Sequence, residues 1–348
     1  MNRPFKTGTK KRVFIKNNRG NDFLKVIFFG SSEFSVPFLN AIYNSHHNVE
    51  LVITGSDKKK GRGKKTLPNP VKESAKSLNL YFLEVDDFSN EIIENISNRE
   101  FDCFILVSFG KILPEKLLSI SKGKTVNFHP SILPKHRGPS PIISALIEGD
   151  AKTGISIIKM TEDVDDGDIY LIAEFAVSEE DNKDSVEEKI TRIGTPLLIK
   201  VMDLIEENKI TVYPQGKENI SYTRLFLKKD LRIDWNDSAV KIRNKIRAFS
   251  SNPGCFTYWR EKNIKILKAN ICRDEEIFSF SRDEYRNGTV IYAGRSGLFI
   301  KCGAKEKNKR FLNGEIIKVV TLKPQDKNFM SFLDFINGYK VKSGEIFK

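Results

Sequence analysis

The sequence predicts an α/β fold, a Rossmann-like doubly wound domain followed by a small all-β barrel of OB-like type, and three observations carry that prediction. From residue 24 to about 206, short β-branched or aromatic runs alternate with amphipathic helical stretches, the pattern of a mostly parallel sheet with helical crossovers. Beyond residue 224 similar runs recur at close spacing, broken by Asn and Gly, which is how a small barrel reads. The length of 348 residues, about twice an ordinary domain, accommodates both units.

Taken in order, residues 1–22 show no hydrophobic period and almost no acid, and read as a disordered basic arm. The first domain, 23–208, opens with the strand LKVIFF and a helix over 33–45. VELVITG, a helix over 70–78, LYFLE, a helix over 89–99 and FDCFILVS follow. TVNFHP is the next strand, then the helix PSPIISALIEG, the strand pair ISIIKM and DIYLIAEFAV, and a closing helix from about Asp184 to Glu206. Residues 209–230, with the polar run YPQGKENISYTR, read as a connector. The barrel, 231–348, is expected from NIKILKA, GTVIYAG, GLFIKCG and GEIIKVVTL.

Charge divides along the same lines. Residues 1–25 carry eight Lys and Arg against one acid, residues 26–223 twenty-three against thirty, and residues 224–348 twenty-seven against fourteen. An acidic body joined to a strongly basic C-terminal third points to chemistry in the body and a polyanion on the tail, because phosphate contacts dominate nucleic-acid affinity. Four scattered cysteines without a CxxC pair argue against disulfides and a thiolate metal site. No apolar run approaches the ~18 residues of a membrane span. The arm lacks the apolar core of a secretory signal, so the bacterial cytoplasm is the expected location, with an organellar matrix as the alternative.

In an open parallel sheet ligands bind beyond the carboxyl ends of the strands, so the turns there are the first places to look for chemistry. Phe29-Gly30-Ser31-Ser32-Glu33 has one glycine where a dinucleotide fingerprint needs three, which disfavours a nicotinamide or flavin cofactor. The run GRGKKTLPNP has Lys58 at the first glycine position of a phosphate-binding loop and Lys65 where Ser or Thr must hold magnesium, so it is no NTPase site. It remains a long lysine-rich loop suited to RNA. DVDDGD, from Asp163 to Asp168, has its glycine one place early for a calcium loop.

TVNFHP is the most informative segment. It ends with Asn127 and His129 at i and i+2, on one face of a strand. With a carboxylate nearby, the amide and an imidazolium would stabilise the oxyanion of an acyl-transfer intermediate.

The motifs around it resemble the folate-dependent formyltransferases, and within them those that act on methionyl-tRNA. The resemblance rests on Asn127-x-His129-x-Ser131-Ile132-Leu133-Pro134, Arg137-Gly138, Pro141-Ile142 and Val164-Asp165-x-Gly167-Asp168. FFGSSEF, the basic loop, SFGKILP (Ser108 to Pro114), RIDW (Arg232 to Trp235), RAF (Arg247 to Phe249) and LKPQDKNFMSFLDFINGY add to it. It spans about residues 24–345.

The resemblance implies 10-formyltetrahydrofolate as co-substrate, methionyl-initiator tRNA as acceptor, no metal, and a monomer without a membrane partner. It assigns catalysis to Asn127, His129 and Asp165. It lines the folate site with Phe109, Gly110, Ile112, Leu113 and the Ser131-Ile132-Leu133-Pro134 run. It places tRNA contacts at Arg62, Lys64 and Lys65 of the basic loop and at Lys228 and Lys229. Three positions depart from the family pattern: Pro130 after the catalytic His, Asp166 where Thr is usual, which adds a carboxylate beside Asp165, and Lys135-His136 where an aromatic is frequent. Two other readings stand beside this one: a formyltransferase for an amino-sugar nucleotide or other small amine, and a tRNA-binding protein without catalysis.

Overall fold

The computed structural model describes residues 23–60, 65–272, 285–303 and 316–348; the expected N-terminal arm lies outside them. The chain runs through β1 (Lys25–Gly30), α1 (Val36–Asn44), β2 (Asn48–Thr54), β3 (Lys58–Lys60), β4 (Lys65–Leu67), α2 (Pro70–Ser77), β5 (Phe82–Glu84) and α3 (Asn90–Ser97). It continues through β6 (Cys103–Val107), α4 (Glu115–Ile120), β7 (Thr125–His129), α5 (Pro141–Glu148), β8 (Lys152–Ile158), β9 (Ile169–Ala176) and α6 (Lys183–Glu206).

Seven of these strands form one sheet in the order β5-β2-β1-β6-β7-β8-β9. The first five are parallel, and β8 and β9 each run antiparallel to their neighbour. Alternation along each strand fills two layers. Val26, Phe28, Val52, Ile105 and Phe128 enter the core shared with α1, α2, α5 and α6, whereas Ile27, Phe29, Leu51, Phe104 and Leu106 enter the one shared with α3 and α4. Each fully buried Phe contributes about 1.5–3 kcal/mol. Phe38 of α1 and Phe128 of β7 meet with ring centroids 4.4 Å apart. Gly194 lets α6 approach that ring, since a Cβ there would lie 2.7 Å from Phe128 Cε2.

Helix starts follow local chemistry. Asn69 accepts hydrogen bonds from the Val71 and Lys72 amides ahead of Pro70, and Asn182 and Ser185 form a reciprocal capping box for α6. The structure departs from expectation in the basic loop, where β3 and β4 pair as an antiparallel hairpin.

The C-terminal unit comprises α7 (Ala239–Ala248), β10 (Cys255–Trp259), β11 (Lys262–Ile271), β12 (Val290–Gly294), β13 (Gly297–Lys301), β14 (Ile316–Pro324), β15 (Met330–Ser331) and α8 (Phe332–Tyr339). Neither α7 nor α8 was expected from the run of strands. The strands are antiparallel in the order β10-β11-β14-β13-β12, with β15 on β14. The open edges, β10 and β12, are joined by the residues after α8. Lys348 exchanges both backbone hydrogen bonds with Tyr258 at 2.7 and 2.8 Å, Phe347 N donates to Gly288 O at 2.8 Å, and Val290 N donates to Glu345 O at 2.7 Å. That segment closes the sheet into a barrel.

α7 carries the barrel onto the first domain. Arg243 pairs with Glu179 at 3.3 Å, Arg247 donates to Ser178 O at 3.0 Å, and Lys268 of β11 pairs with Glu180 at 3.1 Å. Part of the C-terminal positive charge is therefore engaged by an acidic loop of the body. No helix among the described residues is long and apolar enough to cross a membrane.

Candidate active site

The strand order reverses on either side of β1, with β2 on one flank and β6 on the other, which makes the carboxyl ends of β1, β6 and β7 the crevice where a ligand fits. The turns after β1 and β6 are tied there, Ser32 Oγ donating to Ser108 Oγ at 2.9 Å. At the end of β7, Asn127 and His129 project to the same side and reach the same carboxylate. Asn127 Nδ2 donates to Asp165 Oδ1 at 2.9 Å, and His129 Nδ1 lies 3.4 Å from Asp165 Oδ2. The structure thus brings together all three residues singled out for catalysis.

Asp165 sits in the loop between β8 and β9 with φ at +52°, a left-handed conformation that a non-glycine residue holds only at a cost of ~1–2 kcal/mol. Three contacts maintain it. Gly138 N donates to Asp165 Oδ2 at 2.8 Å. Gly167 packs so closely on Lys159 that any Cβ would collide with the Lys159 carbonyl oxygen. Gln215, from the connector, donates its Nε2 hydrogens to the carbonyls of Asp165 and Gly167, both at 2.8 Å. Sequence reasoning did not single out Gln215; it stands in a polar run with no periodic signal, and its partners lie about fifty positions away.

His129 differs from expectation in its charge. Its Nε2 lies 2.9 Å from the His136 carbonyl oxygen; a carbonyl only accepts, so Nε2 carries a hydrogen and Nδ1 is where a second proton comes or goes. The side chain is 5 % exposed, and burial lowers its pKa below the usual 6.5, outweighing the opposing pull of Asp165. The resting imidazole is neutral at pH 7 rather than the expected imidazolium, because desolvation wins.

The segment after His129 is built from the inside. Ser131 Oγ donates to Lys135 O at 2.7 Å, while Ser156 Oγ donates to Ser131 O at 2.8 Å and accepts from Leu133 N at 3.0 Å. Leu133 is buried with Ile158 and Ile169, whereas Ile132 and Pro134 are half-buried. Phe109 and Leu113 face inward, Phe109 stacking edge-on against Phe29 at 5.6 Å. Ile112 is 75 % exposed, and Gly110, with φ at +75°, has open space where a Cβ would stand. Of the residues expected around folate, Gly110 and Ile112 are exposed, Ile132 and Pro134 are half-buried, and Phe109, Leu113, Ser131 and Leu133 are buried.

The departures from the family pattern find partners here. Asp166 pairs with Arg137 instead of standing against Asp165. His136 Nε2 lies 2.8 Å from Asp150, with Lys135 2.6 Å from the same carboxylate, so the His136 side chain belongs to a cluster apart from the trio while its carbonyl meets His129.

Arg62 and Lys64 lie outside the described residues, and Lys65 begins β4. Lys228 and Lys229 are exposed on the turn before Arg232. Arg224 beside them is held by Asp230 through two contacts of 2.8 and 2.9 Å. All four cysteines are buried thiols, and burial pushes Cys103 and Cys255 up to about 12, which leaves neither as a nucleophile.

Residues 24–202 match the formyl transferase family model and residues 227–340 match the formyl transferase C-terminal domain model. The chain is 37% identical to the methionyl-tRNA formyltransferase of Dictyoglomus thermophilum over 328 residues, covering 93% of this chain and 100% of that one. It is 35% identical to the methionyl-tRNA formyltransferase of Fusobacterium nucleatum, covering 92% and 99%. Among solved structures it resembles the N-formyltransferase of Helicobacter canadensis, described in complex with folinic acid and dTDP-3-aminofucose. The TM-score is 0.61 at 18% identity, over 85% of this chain and 99% of that one, a likeness of fold.

Proposed function

The chain belongs to the methionyl-tRNA formyltransferase family, and from that premise we propose that it transfers the formyl group of 10-formyltetrahydrofolate to the α-amino group of methionine esterified to initiator tRNA. The observation that carries the reading is the convergence of Asn127, His129 and Asp165 at the carboxyl end of β7. The open space at Gly110 beside exposed Ile112, backed by apolar Phe109 and Leu113, suits the edge of a flat heterocycle. The formyl donor supplies an activated carbonyl carbon; this chain's residues orient the two substrates and move protons.

Transfer forms a bond between the methionine nitrogen and the formyl carbon and breaks the bond from that carbon to the folate nitrogen. The attacking amine must lose a proton, and the departing nitrogen must gain one. His129 begins neutral with Nδ1 open, so it takes the amine proton there, and Asp165 stabilises the imidazolium that results. Protonated Nδ1 and the second Asn127 N–H then serve as donors to the developing oxyanion. The proton returns from His129 to the departing folate nitrogen, directly or through water. Asp165 acts as an electrostatic partner throughout, anchored by Gly138 N.

The basic regions hold the tRNA in this reading. The basic loop that holds Arg62, Lys64 and Lys65 enters the acceptor stem, where initiators have a weak first pair, and Lys228 and Lys229 face backbone phosphates. In the domain arrangement proposed with it, residues 23–208 carry catalysis, 209–230 link, and 231–348 bind tRNA; the chain acts as a monomer in the cytoplasm.

Single-turnover formylation of Met-charged initiator tRNA, beside Met-charged elongator tRNA and an amino-sugar nucleotide, tests the substrate. Rapid transfer to the initiator alone is expected. Formyl appearing on the sugar, with neither tRNA modified, would overturn the tRNA assignment, and no transfer to any acceptor would overturn catalysis. Arg62→Glu is expected to damage tRNA-dependent turnover far more than folate affinity; equal damage to both would remove the loop from tRNA recognition.

A further inference from the structure

We infer that Gln215 is a positioning residue, through which the segment joining the two domains holds the Asp165 loop in its working conformation. The inference rests on the proposed role of Asp165 and adds to it a group from outside the catalytic domain's own strands.

The argument begins with the backbone. A left-handed residue at a functional loop persists only where its surroundings over-determine it, and Asp165 has φ at +52°. Its carboxylate is held by Asn127 and Gly138, and its peptide carbonyl by Gln215. Gln215 Nε2 bridges the carbonyls on either side of the turn, those of Asp165 and Gly167. Its Oε1 accepts from Arg137 Nη2 at 2.7 Å. Arg137, almost fully buried, pairs in turn with Asp166, the residue between the two bridged carbonyls. Gln215, Arg137 and Asp166 therefore close a ring around the turn that presents Asp165.

The joining segment is fixed to the first domain on both sides of Gln215. Tyr213 exchanges two backbone hydrogen bonds with Ile169, at 2.7 and 2.9 Å. Further on, Arg137 N donates to Ser221 O at 2.9 Å and Thr223 N donates to Arg137 O at 2.7 Å. Within residues 211–220, Gln215 alone is half-buried, and its neighbours are exposed. The segment is thus seated along the mouth of the site, with one side chain turned inward.

The test uses the full chain in single-turnover formylation of Met-charged initiator tRNA with 10-formyltetrahydrofolate, comparing Gln215→Glu, Gln215→Ala and Asp165→Asn. Gln215→Glu keeps the shape and the acceptor for Arg137 but loses both donations to the turn. Both Gln215 variants are expected to slow transfer about 10- to 100-fold, the cost of displacing a catalytic group by a fraction of an ångström to an ångström. The tRNA concentration for half-maximal rate should stay within about threefold, because uniform binding is untouched. In Gln215→Ala, which adds no charge, the acid limb of the rate–pH profile should move to lower pH, since His129 loses its nearby carboxylate. A Gln215→Glu rate equal to the parent overturns the inference, as does a loss confined to tRNA half-saturation with an unmoved pH profile. If Asp165→Asn keeps the parent rate, the proposed catalytic trio is what fails; if it is slow while the Gln215 variants are normal, the inference alone fails.

Discussion

Nδ1 of His129 stands 3.4 Å from Oδ2 of Asp165, too far for a strong hydrogen bond in the resting state and near enough for the carboxylate to stabilise a proton arriving on the ring. The pair is set for charge that does not yet exist. Replacing His129 by Ala or Asp165 by Asn should lower the transfer rate by about 10²- to 10⁴-fold and leave tRNA affinity within about twofold, as read by single-turnover kinetics and equilibrium binding. Near-normal turnover in either variant would remove that residue from the chemistry.

The charge state has its own signature in pH. Burial holds His129 below its ordinary 6.5, so the neutral form needed to accept a proton persists as the medium becomes acidic. The acid limb of the single-turnover rate is expected below pH 6.5. A limb above 6.5 would mean that Asp165 dominates the ring instead.

Stability should also respond to acid, in two separate windows. His47 is lowered to about 4 by burial, with the tilted ring of His46 4.0 Å away adding to the effect. The unfolded chain takes a proton near 6.5 and the folded chain only near 4, so stability falls as pH drops through that window. Asp181 is held down to about 2 against its burial by Lys189, the Ser178 amide and two hydroxyls. Its contribution is present above 3.8 and is lost below that, toward 2. Thermal unfolding of His47→Gln should show a flatter dependence between pH 6.5 and 4 and an unchanged one below 3.8; an unaltered upper window would exclude His47 as its source.

Gly194→Ala tests how tightly α6 supports β7. The new methyl would press on Phe128, whose neighbours in β7 are Asn127 and His129. Overpacking of this kind costs about 1–3 kcal/mol, and formylation should fall together with the denaturation midpoint. A variant as stable as the parent would show that the helix can withdraw freely.

Phosphate contacts release counterions, so tRNA affinity should fall linearly with salt on logarithmic axes. The joint replacement of Lys228 and Lys229 by Ala should reduce that slope by about one for each phosphate no longer neutralised. An unchanged slope would leave these two exposed lysines as solvated surface.

The strands of the first domain were legible because each alternates toward two buried layers, as Val26 to Phe29 do. Asn127 and His129 were legible for the same reason, a period of two at a strand end. Asp165 follows no period at all, and only the resemblance of Val164-Asp165-x-Gly167-Asp168 to the formyltransferase motif singles it out. α8 was missed although Ser331 and Asp334 carry a capping box, and α7 was missed because four basic residues among ten obscure its apolar positions. The neutral state of His129 could not be read from residue types, since it depends on how completely neighbouring segments exclude water. Gln215 was hidden for a related reason: a side chain that satisfies backbone groups far along the chain leaves no pattern near itself.

The closure of the barrel bears on the order in which the protein is made. Thr257 of β10 donates to the carbonyl of Lys348, 91 positions later, and the neighbouring backbone pairs join the same two stretches. Contacts so distant along the chain form late, because loop closure precedes their reward. During vectorial synthesis the parallel sheet can consolidate first, leaving β10 and β12 as unpaired edges until residues 344–348 arrive. In that interval the nascent protein has its seven-stranded sheet but bare strand edges in the second unit, which are pairing templates for other chains. The interval before closure is when the polypeptide is most exposed to misassembly, and a chaperone that shields strand edges would matter most then.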